Sequence, residues 1–159
     1  MTGRSCRWLA LVPGFVALSC VEPPVAAPPP PPIKPPVSKP LPPAVAPGVV
    51  SRMPLADFFQ LHQAGNPLTY DVRPGIYYRF GHIPGAQSWP KRGYEAQLAV
   101  REAQIRSAVA AKRPVVLYCT DPACPDSNTI AQHLAARGHS VAILEGGYEV
   151  WKAAELPSE

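Results

Sequence analysis

The chain has 159 residues with 15 Lys/Arg against 11 Asp/Glu, enough for one ordinary domain plus extensions. Arg4, Arg7, Lys34 and Lys39 all lie in the N-terminal third, whereas from Ser51 onward eleven Lys/Arg face ten Asp/Glu. A basic balance supplied by a tail is no footprint for nucleic acid, so a nucleic-acid-binding class is excluded.

Met1 to Trp8 carry two arginines and no acid, Leu9 to Leu18 are free of charge, and Ser19 and Cys20 follow. A basic start, an apolar stretch and small residues near its end predict a secretory signal over 1–19. The stretch is shorter than the ~20 apolar residues of a membrane-spanning helix. Val16-Ala17-Leu18-Ser19-Cys20 resembles a bacterial lipoprotein signal, which implies acylation of Cys20 and anchoring to a membrane through buried acyl carbons. The expected location is the periplasmic side of a bacterial membrane. Val21 after the cysteine, rather than Asp, favours the outer one. Ordinary cleavage near Ser19 and retention as an uncleaved anchor are the alternatives.

Thirteen of the 23 prolines fall between Val21 and Val50. Proline lacks the backbone donor and fixes φ, so residues 20–50 are expected to be a Pro-rich, disordered linker. In polyproline II form thirty residues reach roughly 90 Å. The folding unit is therefore expected over 51–159.

Within it, Pro54 at a first helical position followed by Leu55, Phe58, Phe59 and Leu61 predicts an amphipathic helix, stopped at Gly65. Leu68 to Val72 reads as a short buried strand, with a turn of helix at Tyr77 to Phe80 and a loop from Gly81 to Ala86. Tyr94 to Ala111 has helical spacing through Leu98, Ile105 and Val109. Val115 to Tyr118 and Val141 to Leu144 are apolar runs of the kind parallel strands need when both faces are covered. Ser127 is expected to cap a helix carrying Ile130, Ala131 and Leu134 and closed by Gly138, and Gly146-Gly147 leads into a last helix holding Trp151. Strands alternating with helices over about a hundred residues predict a parallel α/β sheet.

In such sheets the ligand crevice lies beyond the carboxyl ends of the strands. Two groups sit there: Asp71 with Arg73, and Cys119. A cysteine between a strand and a helix N-terminus meets inward backbone N–H groups and a partial positive charge, which favour the nucleophilic thiolate. On position alone, a buried small residue is an equal reading. His62, His133 and His139 show no metal-ligand spacing with any cysteine, so no metal is expected.

Asp71-Val72-Arg73-Pro74, Tyr78 and Gly81-His82-Ile83-Pro84-Gly85-Ala86, then Val115 to Cys119 with Ser127, then Leu144-Glu145-Gly146-Gly147 with Trp151, resemble in order and spacing the signatures of the rhodanese family. The resemblance spans Leu55 to Leu156. It implies a single domain with a five-stranded parallel sheet flanked by helices. It also implies a sulfurtransferase that needs no cofactor: Cys119 takes a sulfane sulfur from a small donor as a persulfide and passes it to a thiol acceptor. Loop residues Thr120, Asp121, Ala123, Cys124 and Ser127 would bind substrate, with their amides turned to the sulfur. Asp71 and Arg73 would brace the loop, Arg73 also meeting an anionic donor, and His82 would be structural.

The loop Cys119-Thr120-Asp121-Pro122-Ala123-Cys124-Pro125-Asp126-Ser127 departs from active relatives, having no Lys or Arg and two acids. A negative loop repels thiosulfate and raises a thiol pKa. Phosphatases of the same fold clamp phosphate with an arginine where this chain has Pro125, so that reading falls away. Cys124 is an addition that leaves three outcomes open: a resolving thiol for Cys119, a stabilising disulfide, or two thiols that never meet. The rival to the enzyme is a non-catalytic, membrane-anchored module that binds a partner or senses redox state. The sequence specifies no oligomeric state.

Overall fold

The computed structural model describes residues 46–159. The expected signal (1–19), the acylation site Cys20 and most of the 20–50 linker lie outside the described residues.

Five parallel strands form one sheet: β1 (Val50–Met53), β2 (Leu68–Asp71), β3 (Gln87–Ser88), β4 (Val115–Tyr118) and β5 (Val141–Leu144), in the order β1-β5-β4-β2-β3. Helices α1 (Leu55–Gln63), α2 (Gly75–Phe80), α3 (Tyr94–Ala110) and α4 (Pro125–Ala136) connect them, and α5 (Gly147–Ala153) follows β5. Every residue of β2, β4 and β5 is buried, because helices cover both faces of the sheet. This is the fold class the sequence predicts.

Side chains alternate across the sheet, and two cores result. On one face Tyr70, Leu117 and Ile143 pack with Ile105 of α3 and Ile130 and Leu134 of α4. On the other Val116, Tyr118 and Leu144 pack with Phe58 of α1 and Trp151 of α5.

Several local expectations shift. Pro54 is the N-cap of α1, not its first residue. In α3 the buried residues are Tyr94, Ile105 and Ala108, with Leu98 packed beside them, while Val109 is exposed. The i, i+4, i+3 stripe through 94, 98, 101, 105 and 108 turns Val109 just past the sheet. Strands β1 and β3 went unread, since β1 is partly exposed and lacks an unbroken apolar run and β3 has only two residues. The folded unit also starts earlier than 51. The Gly48 amide donates to the Ala135 carbonyl at 2.8 Å, and the Val49 amide to Ser140 Oγ at 3.0 Å. The chain after Pro47 is thereby tied to the far end of α4, and β1 completes an edge of the sheet.

Candidate active site

Strand β4 lies between β5 and β2, and Cys119 is the first residue beyond its carboxyl end. The chain then turns through 120–124 into α4. Cys124 is the N-cap in extended conformation (φ −68°, ψ 117°) and Pro125 the first helical residue. Proline suits that position because its φ is already helical and its missing donor is not needed there. The expected cap, Ser127, therefore sits inside the first turn and is buried.

Cys119 and Cys124 are joined by a disulfide with a Cα separation of 6.1 Å, within the ordinary range for such a bond. Of the three outcomes left open by the sequence, the two sulfurs meet. Cys119 is only 2% exposed, while Cys124 is half-buried.

The loop amides do not all converge on sulfur. Asp121 Oδ1 accepts the amides of Ala123 at 2.7 Å and Cys124 at 2.9 Å. The carboxylate thus takes donors that were expected to hold an anionic sulfur. The expectation for these two amides is corrected: a nearby side-chain anion captures them first.

A cleft of about 400 Å³ opens over this loop, with Cys119, Asp121 and Ser127 in its wall together with Arg52 of β1 and Glu145 after β5. Thr120, Ala123, Cys124, Asp71 and Arg73 are not part of that wall. The Thr120 carbonyl instead accepts the Glu149 amide at 2.9 Å, and the Cys119 carbonyl accepts the Tyr148 amide at 2.8 Å. The first turn of α5 therefore clamps the backbone on which Cys119 sits. Gly147 permits that approach, since a Cβ there would lie 2.5 Å from the Cys119 carbonyl oxygen and φ is +61°.

Asp71 and Arg73 form a buried pair, 0% and 3% exposed. Asp71 Oδ1 accepts the Arg73 amide and Nε, and Oδ2 accepts Nη2 at 2.6 Å and the Tyr118 hydroxyl at 2.8 Å. Nη2 also donates to the Gly81 carbonyl at 2.8 Å, and the guanidinium lies 3.9 Å from the Tyr148 ring centroid. Burial alone would lower the Arg73 pKa, but the hydrogen bond and charge of Asp71 outweigh it and leave the group above its ordinary value. Burial, reinforced by the Asp71 charge, also drives the Tyr118 hydroxyl well upward. With its Nε, its Nη2 and its ring face engaged, this arginine braces the α2 loop against β4 from outside the cleft wall. His82 is likewise engaged, its ring stacked 3.7 Å from Tyr78 and its Nδ1 3.0 Å from the Tyr78 carbonyl.

Arg52 escaped the sequence reading, and Glu145 entered it only within the Leu144-Glu145-Gly146-Gly147 signature, not as a residue of the site. Their signal is the alternation itself: Arg52 pairs in register with Ile143, and Ile143 with Leu117. Residues 52, 143, 145, 117 and 119 therefore share one face of the sheet. Without β1 recognised as a strand, Arg52 looked like one more surface charge.

A five-stranded parallel α/β sheet flanked by helices, with a cysteine loop at the carboxyl end of its middle strand, is the rhodanese-like class of fold. The rhodanese-like domain model matches residues 55–154, and the chain belongs to that family. It is 35% identical over 105 residues to an HTH-type transcriptional regulator of Mycobacterium tuberculosis, a match covering 64% of this chain and 42% of that one. The chain thus spans less than half the length of that curated relative. Among solved structures it is similar to BH2092 protein from Bacillus halodurans (26% identity, TM-score 0.58, covering 69% of this chain and 76% of that one). It is also similar to a protein of unknown function from Rhodopseudomonas palustris described as a possible tyrosine phosphatase (25% identity, TM-score 0.56, covering 69% and 85%).

Proposed function

We propose that this domain is a sulfurtransferase that carries a sulfane sulfur on Cys119 and resolves it with Cys124. The observation that supports the reading is Cys119, in the wall of a cleft at the end of the middle strand, bonded to a second cysteine, Cys124, that lies outside that wall. Two thiols first reduce that bond. The Cys119 thiolate then attacks the outer sulfur of a donor persulfide, forming Cys119–S–SH and releasing the donor as thiolate. An acceptor thiol takes the outer sulfur, or the Cys124 thiolate attacks Cys119 Sγ. In the second route hydrosulfide leaves and the disulfide returns, so the dithiol loses the two electrons that the sulfane sulfur gains. Asp121 opposes thiosulfate as donor, since a carboxylate already occupies two of the loop amides. Export and a lipid anchor on Cys20 are part of the proposal, resting on the signal grammar alone.

The second reading is a redox-responsive binding module without turnover, favoured by the burial of Cys119 and by the same capture of amides. Mass spectrometry separates the two. The reduced protein incubated with a polysulfide is expected to gain about 32 Da, one sulfur atom, on Cys119. Cys119→Ser is expected to gain none, and a thiol is expected to remove the added sulfur. Absence of any gain from polysulfide and thiosulfate alike rejects the transferase in favour of the module.

A further inference from the structure

The cleft over the disulfide carries charges of both signs. Asp121 is spent on the Ala123 and Cys124 amides. Arg52 and Glu145 are not: both are exposed in the same wall, and neither has an ion-pair partner within 4.0 Å among the described residues. Their separation is held by the sheet, because the Glu145 amide donates to the Met53 carbonyl at 3.0 Å, fixing the end of β5 beside β1. The alternation described above sends both side chains to the face that holds Cys119. The loop itself supplies no cation, so Arg52, from another strand, is the one positive group in the cleft wall among the described residues.

We infer that Arg52 and Glu145 are the specificity-determining residues of this cleft, selecting a small thiol or persulfide that bears one carboxylate and one ammonium near its sulfur. Arg52 takes the carboxylate through its planar donors, and Glu145 takes the ammonium. A dianion such as thiosulfate meets one cation against two carboxylates and is disfavoured. A zwitterionic thiol satisfies both unspent charges and brings only the single charge of its thiolate when it attacks. The inference deepens the sulfurtransferase reading by naming the class of its small-molecule partner, but the charges act equally on the resting disulfide. There the thiolate attacks Cys119 Sγ from the cleft, the Cys119–Cys124 bond breaks, and Cys124 leaves as thiolate with the electron pair. A second thiolate then attacks the mixed disulfide, releasing Cys119 and a small-molecule disulfide. Two thiols are oxidised for each protein disulfide reduced.

The test measures the rate at which four thiols open the disulfide in the full-length oxidised chain, followed by alkylation of the peptide carrying Cys119 and Cys124. The thiols are cysteine, cysteamine, 3-mercaptopropionate and 2-mercaptoethanol, each compared per unit of its thiolate. Cysteine is expected to react roughly tenfold faster than 2-mercaptoethanol, as two modest charge contacts together allow. Arg52→Gln is expected to slow cysteine and 3-mercaptopropionate while sparing cysteamine, and Glu145→Gln to slow cysteine and cysteamine while sparing 3-mercaptopropionate. Equal rates for the four thiols, or an unchanged order in both variants, overturn the inference. Because no sulfane sulfur takes part, this outcome is independent of the 32 Da gain, about one sulfur atom, that tests sulfur transfer. Selectivity without sulfur uptake leaves the inference standing and rejects the transferase; uptake without selectivity does the reverse.

Discussion

In the loop after β4, Asp121 Oδ1 accepts the amide of Cys124 at 2.9 Å while the sulfur of the same Cys124 is bonded to Cys119. One residue thus links the loop's internal anion to the site's central sulfur. The carboxylate orders the turn into α4 and at the same time fills donor positions that an anionic substrate would use.

Removing that carboxylate has two opposed effects. Asp121→Ala leaves the Ala123 and Cys124 amides without their acceptor, and loss of a capping acceptor of this kind costs about 1 kcal/mol. The same change frees both donors and removes a negative charge beside Cys119. Sulfur uptake from thiosulfate by the reduced protein is expected to rise several-fold, read as persulfide formed per minute, while the urea midpoint falls.

The disulfide closes a loop between residues five apart in sequence. By the chain-entropy relation a loop this short contributes about 2 kcal/mol. Thermal unfolding with and without a strong reductant is expected to differ accordingly. Cys124→Ser should match the reduced wild-type protein under both conditions, and a reductant-sensitive Cys124→Ser would contradict this account.

Breaking the Asp71–Arg73 pair leaves a charge in the protein interior. Asp71→Asn or Arg73→Met alone is expected to cost about 3–5 kcal/mol, and the double variant less than the sum of the two. Urea unfolding of the four proteins checks this as a double-mutant cycle.

Gly147→Ala places a methyl group 2.5 Å from the Cys119 carbonyl oxygen in a residue whose φ is +61°. A strained backbone costs about 1–3 kcal/mol, with further loss from displacement of α5. The melting temperature is expected to drop by roughly 4–8 °C per kcal/mol lost, and the opening rate of the disulfide to change, because the clamp on Cys119 is disturbed.

Glu102 gives the protein an acid-sensitive contact. Its carboxyl is held below the ordinary value first by the Arg137 hydrogen bond, then by His139, against the opposing effect of burial. A folded-state pKa below the unfolded one means the folded form binds fewer protons. The stabilisation is therefore complete above the unfolded value and lost as pH falls through the folded value. Between about pH 5 and about pH 3 the urea midpoint of wild type should fall more steeply than that of Glu102→Gln.

Much of this molecule was legible before any coordinates. The buried strands Val115–Tyr118 and Val141–Leu144 announce themselves as unbroken apolar runs, because a strand covered on both faces is filled mainly by apolar side chains. The stops and turns at Gly65, Gly146 and Gly147 follow from residues that alone adopt positive φ without strain. Local pattern also placed Cys119 at a strand end. The two short edge strands escaped, since an edge strand is half-exposed and its pairing is supplied by a neighbour distant in sequence. With β1 went Arg52, whose importance depends on its register with Ile143.

What the linear chain determined was the alternation of strands and helices and the presence of two cysteines flanking a turn, because burial and backbone preference are properties of residues and their immediate neighbours. Three matters were decided only by folding. Asp121, rather than sulfur, takes two loop amides; Arg73 turns inward onto Asp71 and away from the cleft; and Arg52 and Glu145 come to share one wall. Each depends on which groups compete for the same donor or the same space. That competition is settled by distances between residues about ninety positions apart, such as Arg52 and Ile143, and no local pattern carries them.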